Sequence, residues 1–259
     1  MNTKTHTVWL FCRVIDNFGD IGVSWRLAKQ LQQEQHLQVV LWVDDVQALR
    51  ALLPEVDVHA TQACYEGIAV LQWQDALVAD LLLSAPAADV VIETFACDVP
   101  EAVRQWMVGK PMLWLNLEYL TAEAWADDVH LLPSLQSNGV KKYFYCPGFS
   151  DKTGGVSYER GLLSQERPVN QEKQQQLRQQ YGLPAIADSV HVYVFGYADA
   201  MWPKWLRMWM RGDKKTVGWL AQGSLLVDLQ RQFPELQALQ QVGDCVSVQQ
   251  LIVCLLPFV

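Results

Sequence analysis

Two aspartates four residues apart, Asp16 and Asp20, bracket Asn17, Phe18 and Gly19 and are followed by Ile21 and Gly22. Carboxylates and glycines at this density make a poor core segment, because a buried carboxylate is costly and glycine packs nothing. They suit a ligand site, since glycine lets a ligand approach the backbone and a following helix offers free N–H groups at its start. A pyrophosphate on this turn would be repelled by the acids, and the GxGxxG spacing of a dinucleotide loop is missing, which argues against an NAD-type oxidoreductase. Paired carboxylates fit an acceptor that is cationic or must lose a proton. Inverting glycosyl transfer needs one base on the face opposite the leaving group, and a carboxylate near a helix start is favoured in its charged form. Asp20 fits that base, and Asp16 would orient the nucleophile or pair with a cationic acceptor. Asp20 as a plain helix cap is the alternative.

Further candidates stand at the ends of apolar runs. Glu93 follows Val90-Val91-Ile92, and Asn116 and Glu118 follow Met112 to Leu115. The carboxyl ends of strands are where open α/β sheets bind ligands, although a glutamate there also reads as a solvated strand end. Phe195 and Tyr197 end another apolar run. Flat aromatic faces can stack on a nucleobase, but core packing is the plainer reading.

The elements that must position these residues alternate. An apolar run from Val8 to Ile15 predicts a first strand, and Val23, Leu27 and Leu31 recur at helical spacing. Leu37 to Val43 reads as a strand covered on both faces, Asp44 to Leu53 as a short helix ended by Pro54, and Asp57 to Thr61 as a further strand. The segment Tyr65 to Trp73 is ambiguous. Asp89 to Glu93 predicts a buried strand, Val99 to Val108 a helix stopped by Gly109, and Pro111 to Leu115 the next strand. Residues 134–155 read as a long aromatic loop, a kind of segment that is usually functional in a compact protein. Alternating strands and helices predict an α/β, Rossmann-like domain over residues 1–184, with Gln171 to Tyr181 as a solvated helix before the boundary. A second Rossmann-like unit over 185–259 would hold strands at His191 to Tyr197 and Thr216 to Ala221, with helices at Trp202 to Met210 and Leu225 to Phe233. Its roughly 75 residues are too few to close a sheet with helices on both faces, so this domain reads as incomplete.

Composition limits the alternatives. A hydrophobic content of 51% supports packed cores, and a formal charge of −8 argues against a general nucleic-acid binder. Six cysteines without a CxxC pair read as reduced, mostly buried thiols of a cytoplasmic protein. Five histidines without HxxxH or HExxH spacing give no support for a metal site. The polar amino terminus lacks a signal peptide's apolar centre, and the run Leu251 to Val259 is far short of the ~20 residues of a membrane span. Tandem Rossmann-like units leave three classes open: nucleotide-sugar glycosyltransferases, dehydrogenases and ligand-binding proteins.

Several blocks in order carry a family resemblance: Phe11 to Val23 with Trp25-Arg26-Leu27, Asp89 to Cys97, Asn116 to Leu120, Leu132-Pro133-Ser134, Lys142-Tyr143-Phe144, Pro147-Gly148-Phe149 and Thr153-Gly154-Gly155. They resemble the EarP family of protein-arginine rhamnosyltransferases, which modify translation elongation factor P. The resemblance implies a GT-B glycosyltransferase that moves rhamnose from dTDP-β-L-rhamnose to one arginine with inversion, with no metal or other cofactor. It implies Asp20 as the general base and Asp16 as a second essential aspartate. It also implies donor contacts at Gly19, Phe195, Tyr197 and Phe258, the last matching the phenylalanine of the family's LPFxPQ stretch, and acceptor contacts at Asn17, Glu93, Asn116 and Glu118. Family members continue into an arginine-glycine-glutamate-aspartate-serine motif that holds the donor's diphosphate, and this chain ends before it. The expectation is therefore weak donor binding and little activity. The alternative is a non-catalytic module that docks the acceptor protein through the first domain.

Overall fold

The computed structural model describes residues 5–15 and 19–160 continuously, and beyond them 172, 175–176, 190–194, 201–202, 204–205, 208, 216–221, 231–232, 245–248 and 251–256. The chain divides into two units, Met1–Ser164 and Gln165–Val259.

In the first unit β1 (Thr7–Cys12) leads to α1 (Gly19–Gln33), followed by β2 (Gln38–Val43), α2 (Val46–Leu52), β3 (Gln62–Tyr65) and β4 (Ile68–Gln72). Then come α3 (Val78–Ser84), β5 (Val90–Thr94), α4 (Glu101–Met107), β6 (Leu113–Leu117), α5 (Trp125–Val129), β7 (Pro133–Leu135) and β8 (Lys141–Tyr145). They form one eight-stranded sheet in the order β3-β4-β2-β1-β5-β6-β8-β7. The inner pairs are parallel, while β3 and β7 run antiparallel at the two edges.

Strand periodicity divides the core in two. Val8, Leu10 and Cys12 of β1 face one layer with Leu41 of β2, Ile92 of β5, Ile21 and Trp25 of α1, and Leu49 of α2. Trp9 and Phe11 face the other, with Trp42, Trp114, Val78 of α3, and Val103 and Met107 of α4. Helices on both faces require strands that are apolar throughout, which is why β1 and β2 show continuous apolar runs instead of alternation. The second layer is aromatic. Trp9 stacks on Trp106 with centroids 4.4 Å apart, Phe11 stacks on Trp42 at 5.1 Å, and the Trp9 indole N–H donates to the Pro86 carbonyl at 2.9 Å.

Several boundaries differ from the sequence expectation. Helix α1 begins at Gly19, so Asp20 and Gly22 belong to the helix and not to the turn before it. The expected strand at Asp57 to Thr61 is a turn, because the Asp57 carboxylate accepts from the His59 N–H at 2.9 Å and its carbonyl accepts from the Ala60 N–H at 3.2 Å. The ambiguous segment is the β3–β4 hairpin, turned by Glu66 and Gly67 at φ 48° and 80°. The segment 134–155 is no open loop. Its residues Lys141–Tyr145 are β8, paired parallel to β6. Strand β6 also ends two residues later than expected, which puts Asn116 inside it.

In the second unit β9 (Val190–Val194), β10 (Thr216–Ala221), β11 (Cys245–Val248) and β12 (Leu251–Leu256) form a sheet in the order β11-β12-β10-β9. Strand β10 is parallel to both neighbours, and β11 pairs antiparallel with β12. No helix among the described residues is long and apolar enough to cross a membrane.

Candidate active site

Topology selects one end of the first sheet. From β1 the chain runs outward through α1 to β2, while β5, the other neighbour of β1, starts the path to β6 through α4. Helix α1 covers one face and α4 the other, so the loops after β1 and β5 part at their carboxyl ends. Such a switch point opens a crevice where α/β proteins bind ligands.

Asp20 stands there. The residue is only 1% exposed although it bears a carboxyl group and lies in the first turn of a helix. Its Oδ2 accepts from the Ile15 N–H at 2.8 Å, and its Oδ1 accepts from the Tyr119 hydroxyl at 2.8 Å. One turn on, the Ser24 hydroxyl donates to the Asp20 carbonyl at 2.8 Å and lies 3.2 Å from Thr94 Oγ1. Thr94 in turn donates to the Phe11 carbonyl at 2.9 Å. Asp20 is thus tied to β1, β5 and the end of β6 at once.

The end of β5 turns sharply. Phe95, Ala96 and Asp98 lie at φ 56°, 50° and 58°, a left-handed conformation that non-glycine residues rarely adopt and that costs of order 1–3 kcal/mol each. Strand β6 holds the turn. The Leu117 carbonyl accepts from the Phe95 N–H at 2.7 Å, and Asn116 Oδ1 accepts from the Ala96 N–H at 2.8 Å. The turn lays the Phe95 ring flat on Tyr119, with centroids 3.8 Å apart and planes 3° from parallel.

Glu93 and Asn116, expected to meet an acceptor, are fully buried on the α4 face. Lys142 pairs with Glu93 Oε1 and lies 5.1 Å over the Trp114 ring, while Glu93 Oε2 has no hydrogen-bond partner. The Asn116 amide donates to Glu118 Oε1 at 2.5 Å. Glu118 is half-buried, and its own N–H donates to the Tyr145 carbonyl at 2.9 Å. Of the three, Asn116 holds the turn that carries Phe95, and only Glu118 reaches solvent. Gly19 is exposed at the start of α1. Asp16, Asn17, Phe195, Tyr197 and Phe258 lie outside the described residues. Tyr119, Phe95, Thr94 and Ser24 complete the arrangement around Asp20. Nothing in their spacing singled them out, although Tyr119 and Phe95 each stand at the end of a predicted strand.

The cysteines nearby are not nucleophiles at neutral pH. Burial, with the Asp20 and Asp44 charges adding to it, pushes the Cys12 thiol up to about 12, and burial raises Cys97 as well. Among the described residues no three His, Cys, Asp or Glu side chains converge as metal ligands would. The arrangement offers one fixed, desolvated carboxylate at the mouth of an α/β sheet, which is suited to accepting a proton.

Residues 8–259 match the family model described as Elongation-Factor P (EF-P) rhamnosyltransferase EarP. The chain belongs to this family. A protein-arginine rhamnosyltransferase of Neisseria meningitidis serogroup B / serotype 15 (strain H44/76) is 43% identical over 263 residues, covering 100% of this chain and 65% of that protein. A protein-arginine rhamnosyltransferase of Shewanella oneidensis is 39% identical over 241 residues, covering 87% of this chain and 59% of its own length. The chain therefore spans about two thirds or less of the length of these EarP-family relatives. A solved structure, reported as the structural basis for EarP-mediated arginine glycosylation of translation elongation factor EF-P, matches with a TM-score of 0.53 and 26% identity over 98% of this chain and 61% of that one.

Proposed function

We propose that this chain carries the acceptor-activating half of an inverting protein-arginine rhamnosyltransferase, with the arginine on translation elongation factor P and the sugar on dTDP-β-L-rhamnose. The observation that carries the reading is Asp20, a carboxylate 1% exposed and held through both oxygens at the carboxyl-end crevice of a sheet in an EarP-family chain. A guanidinium has a pKa above 12 and its nitrogen lone pairs are delocalised, so it attacks an anomeric carbon only as a base removes its proton. In the proposed step Asp20 takes that proton while the N–C bond forms and dTDP departs with the electrons of the broken C–O bond. Asp16 and Asn17 would bind the guanidinium beside Asp20, with Glu118 at the rim.

In this reading, as in a GT-B glycosyltransferase, residues 1–184 would receive the acceptor and 185–259 the nucleotide sugar, with Phe195, Tyr197 and Phe258 contacting the donor; the fold itself divides earlier, after Ser164. No step is assigned to a metal. Buried thiols raised by their surroundings suit a reducing cytoplasm, where the acceptor would also be found.

Mass spectrometry of elongation factor P after incubation with this chain and dTDP-β-L-rhamnose tests the proposal. A rhamnose-sized adduct on one arginine is expected at a low rate, and Asp20→Asn lowers that rate by about a further 100- to 10,000-fold. Near-normal turnover by Asp20→Asn at saturating substrates sinks the base assignment. Binding of the acceptor without any adduct leaves a docking module in place of an enzyme.

A further inference from the structure

We propose that Tyr119 is a positioning residue for Asp20: its hydroxyl, aimed by the stack on Phe95, fixes the carboxylate in the orientation from which it takes the acceptor's proton. The inference rests on the reading of Asp20 as base and adds the device that sets it.

A carboxylate on a short side chain swings about its last bond, and that torsion is broad when nothing holds it. Asp20 is held from two sides of the fold. Ile15 donates from the stretch just before the helix, and Tyr119 donates to the other oxygen from a position 99 residues later, beyond the end of β6. The Ile15 contact is local, five residues away in sequence. The Tyr119 contact ties the carboxylate itself to the end of β6, as the Ser24–Thr94 contact ties the α1 backbone to β5.

Tyr119 by itself is a weak anchor, since its residue is 53% exposed. What stiffens it is Phe95, nearly parallel to it at 3.8 Å. Phe95 can lie there because its backbone is left-handed, and that conformation is kept by the Leu117 carbonyl and the Asn116 side chain. A strained turn persists only where its surroundings over-determine it, and strain of this kind concentrates at functional sites. The order of support runs from Asn116 through Ala96 and Phe95 to Tyr119 and then to Asp20. Positional errors of an ångström at a reacting group are enough to cost about 100-fold in rate, so a stiff support of this kind has a chemical return.

Tyr119→Phe keeps the ring and its stack and removes only the donor. Single-turnover transfer at saturating donor separates rate from active fraction, because a loss of folded protein lowers the amplitude while mispositioning lowers the rate constant. The expected result is a rate constant at least about 10-fold lower at unchanged amplitude, with the acceptor concentration for half-maximal rate within about twofold. Phe95→Leu keeps the hydroxyl and removes the stack, and its rate constant falls as well, by a smaller factor. An unchanged or raised rate constant in Tyr119→Phe overturns the proposal and leaves the assignment of Asp20 standing, a raised one marking Tyr119 as a cover. If only amplitudes fall in both variants, the role is structural and the proposal is overturned. If the unaltered chain transfers no sugar, the reading of Asp20 falls first and this proposal with it.

Discussion

Lys142 and Glu93 form a pair that neither residue could form in isolation. The Glu93 side chain is 1% exposed, and that of Lys142 15%. A buried ion pair adds little net stability, because desolvation offsets the attraction, but removing one partner leaves a charge with no compensation. Lys142→Met is therefore expected to cost about 3–5 kcal/mol, read from the urea midpoint, whereas replacing both partners by apolar residues costs much less. The same logic separates the acids of the candidate site. Glu93 is paired with a lysine within the core, while Asp20 accepts from the Ile15 N–H and the Tyr119 hydroxyl. A carboxylate committed to a lysine in the core is a structural part of the fold.

At the scale of elements, the segment after β8 returns to the outer face of α1. Glu159 takes both oxygens to Arg26, at 2.6 and 2.9 Å, while Ser157 donates to Gln30 at 2.8 Å and the Arg160 N–H donates to Glu34 at 2.7 Å. The Arg26 guanidinium lowers the Glu159 carboxyl from its ordinary 4.5 to about 2. A lowered folded-state value means that the contribution is present above pH 4.5 and fades as the pH falls towards 2. Both side chains are well exposed, so screening limits the pair to about 0.2–1 kcal/mol. Thermal melts of the chain and of Glu159→Gln should differ by a few degrees at most at pH 7, with the gap closing near pH 2–3. A gap that widens in acid would show that the strap is held by something other than this pair.

At the scale of the first unit, β1 lies at the centre of the sheet and feeds both core layers with adjacent residues. Leu10 and Trp9 are each fully buried, on opposite faces. Leu10→Ala is expected to cost about 2–5 kcal/mol and Trp9→Ala about 3–5 kcal/mol, the latter also orphaning the Pro86 carbonyl. Domain stabilities run to about 5–15 kcal/mol, so the double variant should lose its cooperative urea transition by circular dichroism while each single variant keeps one. A double variant that still unfolds cooperatively would mean the two layers are far less dependent on β1 than the burial suggests.

The central parallel strands and most helices were legible in the sequence because each reflects a local period: continuous apolar runs for β1, β2 and β5, and helical spacing for α1. The family relationship and Asp20 as a candidate were legible too, because carboxylates beside glycines are conspicuous against an apolar background. Strand β8 was not, since its lysines look like solvent-facing residues until Glu93, 49 positions earlier in the chain, pairs with one of them. The hairpin β3–β4 and the turn at Asp57 depend on left-handed backbone and on a side-chain hydrogen bond that periodicity does not record. Glu93 and Asn116 stand at strand ends in sequence, yet only the neighbouring strands decide that they face inward. Tyr119 meets Asp20 across 99 residues, and a contact at that separation is set by strand order, which the sequence states only through the folded sheet.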